Sequence, residues 1–151
     1  MLFIAGCAHR PGVGGIKDND NGPWSGRISL QIQGESPQAF FAGFELQGKA
    51  EQGELTLISP IGSVIAMLRW SPQEAVLESG SERTRFSSVD ALLAQATGTA
   101  VPLHALFDWL AGKNTSLDGW TADLAQRSLG RINAKRVQPE PQTELRIVLD
   151  Q

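Results

Sequence analysis

Apolar residues recur at every second position through most of this chain, and the rhythm turns helical only once, near the middle. Arg27-Ile28-Ser29-Leu30-Gln31-Ile32-Gln33 alternates cleanly, as a half-buried strand requires, because successive side chains point to opposite faces. After the break at Gly34-Glu35-Ser36-Pro37, Phe40, Ala42, Phe44 and Leu46 share one face, with Gly43, Glu45 and Gln47 on the other. A polar turn over 48–53 leads to a third strand through Leu55 and Leu57, which ends at Ser59-Pro60-Ile61-Gly62, since Pro cannot donate to a ladder. Val64, Ala66, Leu68 and Trp70 mark a fourth strand, 75–78 a fifth and 83–86 a short sixth. The first half therefore reads as an antiparallel meander.

The period then changes. Ser87 or Ser88 is placed to cap a helix through Val89, Leu92, Leu93 and Ala96 that ends at Gly98, with Asp90 favourable in its first turn. Pro102 suits the first position of a second helix, whose stripe is Leu103, Leu106, Phe107 and Leu110 with Trp109 flanking it, closed by Gly112 and Lys113. Strands return over 120–124, 130–137 and 145–149. Strand runs on both sides of two helices predict an α+β fold, with the helices covering one face of a curved antiparallel sheet.

Composition narrows the function. The 151 residues make one domain plus a tail, enough to bury about two thirds of the unfolded surface. A net charge of −3 with scattered Lys and Arg predicts no nucleic-acid partner. A single cysteine, Cys7, excludes an internal disulfide and any Cys-based zinc site. Two distant histidines, His9 and His104, make no metal site. Asp18-Asn19-Asp20-Asn21-Gly22 starts like a calcium loop, but Ser29 stands where the acidic twelfth ligand belongs. His104 and Asp108 share a helix face at a spacing of four, which reads as a surface hydrogen bond rather than a catalytic dyad. No nucleophile elbow or phosphate loop is present. The expectation is a protein that is no enzyme and needs neither metal nor cofactor.

Two features carry chemistry of another kind. Met1-Leu2-Phe3-Ile4-Ala5-Gly6-Cys7 is an apolar run closing on small residues and a cysteine, in the manner of a bacterial lipobox. There a peptidase cuts before the cysteine, whose thiolate and new amino group take acyl chains. Six residues without Lys or Arg fall short of the usual basic start and roughly 7–15 apolar residues, as expected of a leader whose true start lies upstream. The predicted organisation is a signal-peptide remnant over 1–6, a lipidated tether over 7–22 rich in Gly and polar residues, and a folded domain over 23–151. The second feature is Ile61, a bulky apolar residue where turns select Gly, Pro, Asn, Asp or Ser. It either folds back to cap the core or protrudes as a hydrophobic tip.

The chain is similar to the LolB family of outer-membrane lipoprotein receptors. The matching features are Cys7 in its lipobox, Trp24-Ser25-Gly26-Arg27-Ile28, Ser59-Pro60-Ile61-Gly62, Gly98 with Val101-Pro102-Leu103, Leu106, Trp109-Leu110 and Gly112, then Gly119-Trp120 and Leu145-Arg146-Ile147-Val148-Leu149. The resemblance covers nearly everything after the tether. It implies an incomplete β-barrel lidded by helices over an apolar cavity for acyl chains, lined from Ile28, Leu30, Phe40, Phe44, Leu46, Leu55, Leu57, Leu68, Trp70, Leu106 and Trp109. It also implies membrane insertion through Pro60, Ile61 and Gly62, Ile61 standing where the family carries an exposed Leu. Implied partners are a LolA-like periplasmic carrier, acylated lipoprotein cargo and outer-membrane lipid, with the protein a monomer. Ala8, not Asp, follows the lipidated cysteine, which by family analogy directs it to the outer membrane. The competing readings are a lipid- or glycolipid-binding lipoprotein of another envelope route, and a structural outer-membrane lipoprotein with a solid interior.

Overall fold

The computed structural model describes residues 22–97, 101–117, 119–138 and 140–150, without the side chains of 96 and 97. Nine strands form one antiparallel sheet: β1 (Trp24–Ile32), β2 (Gln38–Gly48), β3 (Gly53–Ile58), β4 (Val64–Trp70), β5 (Ala75–Ser79), β6 (Glu82–Phe86), β7 (Trp120–Asp123), β8 (Arg131–Arg136) and β9 (Thr143–Leu149). Between β6 and β7 lie two helices, α1 (Val89–Thr97) and α2 (Leu103–Leu110). The spatial order is β6-β5-β4-β3-β2-β1-β9-β8-β7. The six-stranded meander is as the alternation predicts, and the sheet stays open, with β6 and β7 as its edges. The fold is α+β with an open, curved sheet.

The pairing that joins the two halves is β1 against β9, from Gly26↔Leu149 to Ile32↔Thr143. Gly26 is what permits it. A Cβ at this position would overlap the Val148 carbonyl, so no other residue lets β9 close on β1 at that point.

Register then stacks the apolar positions into rows across one face. Leu77, Leu68, Leu55, Leu46 and Trp24 are successive partners. Phe40, Leu30, Leu145 and Ala134 form another row. On this face sit the helices. Ser88 caps α1, its Oγ accepting from the Ala91 amide at 3.2 Å, and Leu92 and Leu93 pack inward against the core.

Two details of α2 correct the sequence-based expectation. Pro102 lies one position earlier, at the N-cap, with an extended ψ of 102° while its carbonyl accepts from the Leu106 amide. Trp109 does not flank the stripe but is fully buried, and Leu103, Ala105, Leu106, Phe107 and Leu110 are buried with it. The sheet curls around the helix, so apolar residues are needed over most of its circumference. Only His104 and Asp108 are left toward water.

Candidate functional site

The residues expected to line an acyl cavity come from five separate elements, and the register brings them to one face. Leu30, Phe44, Leu46, Leu55, Leu57, Leu68, Trp70, Leu106 and Trp109 are buried in a single cluster, and Ile28 and Phe40 are half-buried against it. Side chains of α2 occupy the space that these strands enclose. Phe107, which the sequence placed in the stripe but not in the site, meets Trp24 edge-on at 5.6 Å and Trp70 at 6.4 Å. At the far end Trp109 packs against Trp120 at 6.0 Å. Such contacts are directional enough to seat a helix, yet each is worth only about 0.5–1.5 kcal/mol beyond its burial.

Polar ties to α2 are few and lie at its C-terminal end. Trp109 Nε1 donates to the Thr115 carbonyl at 2.9 Å. Arg127, in the turn before β8, donates from Nε and Nη2 to the Leu110 carbonyl at 3.0 and 2.8 Å, where helix carbonyls lack intrahelical partners and favour a cation. No local pattern announces Arg127, which is seventeen residues from the carbonyl it holds. The His104–Asp108 pair is a structural tie: Nδ1 lies 3.5 Å from Oδ2, which also accepts from the Thr115 hydroxyl at 2.6 Å.

The loop after β3 is a tight hairpin connection. The Gly62 amide donates to the Ser59 carbonyl at 2.9 Å, and the Ser59 amide to the Ser63 carbonyl at 2.7 Å. Pro60 pre-sets φ at the second turn position, and Gly62 takes φ +90°, the left-handed residue that a three-residue hairpin needs. Ile61 is held between them and cannot fold inward. It is 88% exposed. That decides between the two readings of Ile61: the side chain stands in water at the tip.

Sequence reasoning missed the rest of that end of the sheet. Register slips between Leu57 and Ile58, so that Ile58 pairs with Val64 and Ile65 is the extra residue. Val64, Ile65 and Phe41 are all exposed apolar side chains near the tip. Two adjacent β-branched residues breaking the alternation were the available signal.

Elsewhere, a groove of about 360 Å³ lies on the outer face of β8 and β9, lined by Asp123, Gln126, Arg131, Asn133 and Arg146 among others. None of the expected cavity residues borders it. Among the described residues no group of three or more His, Cys, Asp or Glu is placed to hold a metal, and no helix is long and apolar enough to cross a membrane. Cys7, the tether as far as residue 21, and Gly98 lie outside the described residues.

Comparison with known proteins agrees with this architecture. The family model for outer membrane lipoprotein LolB matches residues 23–150. The outer-membrane lipoprotein LolB of Ralstonia nicotianae is 31% identical over 121 residues, covering 75% of this chain and 58% of that protein. Its counterpart in Cupriavidus metallidurans is 26% identical over 140 residues, covering 89% and 68%. That of Bordetella petrii is 25% identical, covering 99% and 87%. This chain thus spans a little over half the length of the Ralstonia relative. With a match that runs from the first strand to the last, through the clamped helix and the Ile61 hairpin, the chain belongs to the LolB family of outer membrane lipoproteins.

Proposed function

We propose that this protein is an outer-membrane lipoprotein receptor: it accepts acylated lipoproteins from a LolA-like periplasmic carrier and inserts them into the outer membrane, where acylated Cys7 anchors it. The observation that carries the reading is Ile61, an apolar side chain 88% exposed on a turn that holds it outward. Nothing in the hairpin's own packing accounts for it.

The energetics of cargo favour such a design. Burying one methylene is worth about 0.8 kcal/mol, so several long acyl chains would cost tens of kcal/mol to expose. That exceeds the roughly 20 kcal/mol at which non-covalent affinities saturate. Cargo must therefore pass between apolar surfaces in contact. Handover then needs only a modest difference in affinity between carrier, receptor and bilayer.

The site for acyl chains is the space between α2 and the strand face carrying Leu30, Phe44, Leu57 and Leu68. Most of α2's hold on that face is dispersion contact from Leu106, Phe107 and Trp109. An acyl chain sliding beneath the helix exchanges hydrocarbon for hydrocarbon, which costs little. The anchor is compatible with this placement. Trp24 pairs with Leu46, and Leu46 with Leu55, so the chain joins the sheet roughly 20 Å from the Ile61 tip at about 3.4 Å per residue. The fifteen steps from Cys7 to Gly22 can extend to about 50 Å, so the anchor and the tip can reach the same bilayer.

Ile61→Glu tests the reading. The variant should fold normally and take up acylated cargo from the carrier, yet fail to deliver it to outer-membrane vesicles. Undiminished delivery would remove the role of the tip.

A further inference from the structure

We propose that membrane contact is not made by Ile61 alone: the charge-free outer end of β2–β4, with Phe41, Val64 and Ile65 beside Ile61, is a bilayer-docking footprint that seats the domain end-on in the lipid. This rests on the insertion role of Ile61 and extends it from one side chain to a surface.

Phe41 is 57% exposed, Val64 59% and Ile65 37%. Phe41 points away from the core because Phe40, Ala42 and Phe44 point into it, and it lies two residues beyond the Gly43↔Ile58 pair, toward the hairpin tip. The bulge sets Val64 and Ile65 opposite Ile58 on that same outer surface. An alternating strand would have sent one of the two inward. The result is a contiguous apolar cap, the kind of surface that marks an interaction site.

Charge says what covers it. No charged residue occurs from Leu55 to Leu68, nor from Ser36 to Phe44. Within β2–β4 charge resumes just below, in the row Glu45–Thr56–Met67–Glu78–Arg83 and in the Glu54–Arg69 ion pair. On the flank, exposed Arg27 of β1 pairs with Gly43 at the edge of the cap, where a cation suits anionic headgroups. Two residues of strand plus the turn give the cap a depth of about 10 Å, close to the 5–10 Å to which interfacial elements sink into the headgroup and acyl boundary.

The tip is also built to leave water. The amides of Ser59 and Gly62 are bonded to carbonyls within the hairpin, the Ser63 amide donates to Ser59 Oγ at 3.1 Å, and Pro60 has no amide to satisfy. Three of the four amides from Ser59 to Ser63 are thus already paired, as a low-dielectric medium favours. A protein partner would be expected to use polar groups around such a patch. Hydrocarbon has no use for them.

The test uses the whole chain carrying Cys7→Ser, with single cysteines at position 61, 65, 41 or 47 labelled with an environment-sensitive dye. It is mixed with vesicles of phosphatidylethanolamine and phosphatidylglycerol. Blue shifts at 61, 65 and 41 with none at 47 are expected. A shift at 61 alone overturns the footprint and leaves the role of Ile61 standing. No shift at any position overturns both. A shift at 65 and 41 without vesicles that grows with protein concentration identifies a second copy of the chain as the occupant, and also overturns the footprint. As a second measurement, the double variant Val64→Ser, Ile65→Ser should lose about tenfold in vesicle partition (about 1.4 kcal/mol) with an unchanged melting temperature. Unchanged partition overturns the proposal.

Discussion

Replacing Phe107 by Ala separates a helix that is merely part of the core from one that lends its place to a ligand. Phe107 is buried and touches Trp24 and Trp70 with ring centroids 5.6 and 6.4 Å away. Truncating a buried Phe costs about 3–5 kcal/mol, and two edge contacts put this site in the upper half of that range. With a urea slope of about 1.5–2 kcal/mol/M for a domain of this size, the unfolding midpoint should fall by about 2–3 M. Against a total stability of about 10 kcal/mol, the middle of the usual range, the variant should stay folded. Tryptophan fluorescence reports directly, because Trp24 and Trp70 line the new void. If α2 holds the place of an acyl chain, the void should also strengthen binding of a fluorescent fatty acid about tenfold or more, since each methylene that enters contributes about 0.8 kcal/mol. A loss below about 1 kcal/mol would refute the clamp as described. Full destabilisation with no gain in binding would refute the acyl site beneath α2.

Gly26→Ala should drive a Cβ into the Val148 carbonyl and cost at least 2 kcal/mol, seen as a lower melting temperature and faster amide exchange in β9. Arg127→Ala removes two hydrogen bonds from the Leu110 carbonyl and should cost about 1–3 kcal/mol; Arg127→Lys should recover only part of it, because the paired geometry is lost, and denaturant titration of both variants checks this. Cys7→Ala, in a host that supplies a complete leader, should release the protein from the membrane fraction, and retention there would refute anchoring through that residue.

Much of this fold was legible because its two periods do not overlap. A strand such as Arg27–Gln33 and a helix such as Leu103–Leu110 bury different spacings, and each punctuating residue, from Pro37 to Gly112, has a mechanical reason to stop one. What sequence could not reveal was long-range. Nothing near Ile28 says that its second partner is Ile147. Nothing local to Gly26 says that the Val148 carbonyl will lie against it. Trp109 looked peripheral because the arc of a helical stripe depends on how far the sheet curls around it. At the site, Ile61 could be singled out since it breaks turn chemistry, but its direction needed the hydrogen bonds of Ser59 and Gly62. Val64 reads in line with Ala66 and Leu68, and Ile65 is passed over, because a bulge depends on the pairing of two strands and leaves only two adjacent β-branched residues as its mark in one.

The adjacency of β1 and β9 has a kinetic consequence. Seven residue pairs join the strand that opens the domain to the one that completes it, across a sequence separation of more than a hundred residues. Loop closure over that distance is slow, and rates fall as contacts become less local. The meander of β1 to β6 can therefore assemble early, while one flank of β1 keeps a bare row of amides and carbonyls until β9 arrives. During that interval the nascent domain is sticky along its future centre, and a chaperone or a misplaced strand would find its purchase there.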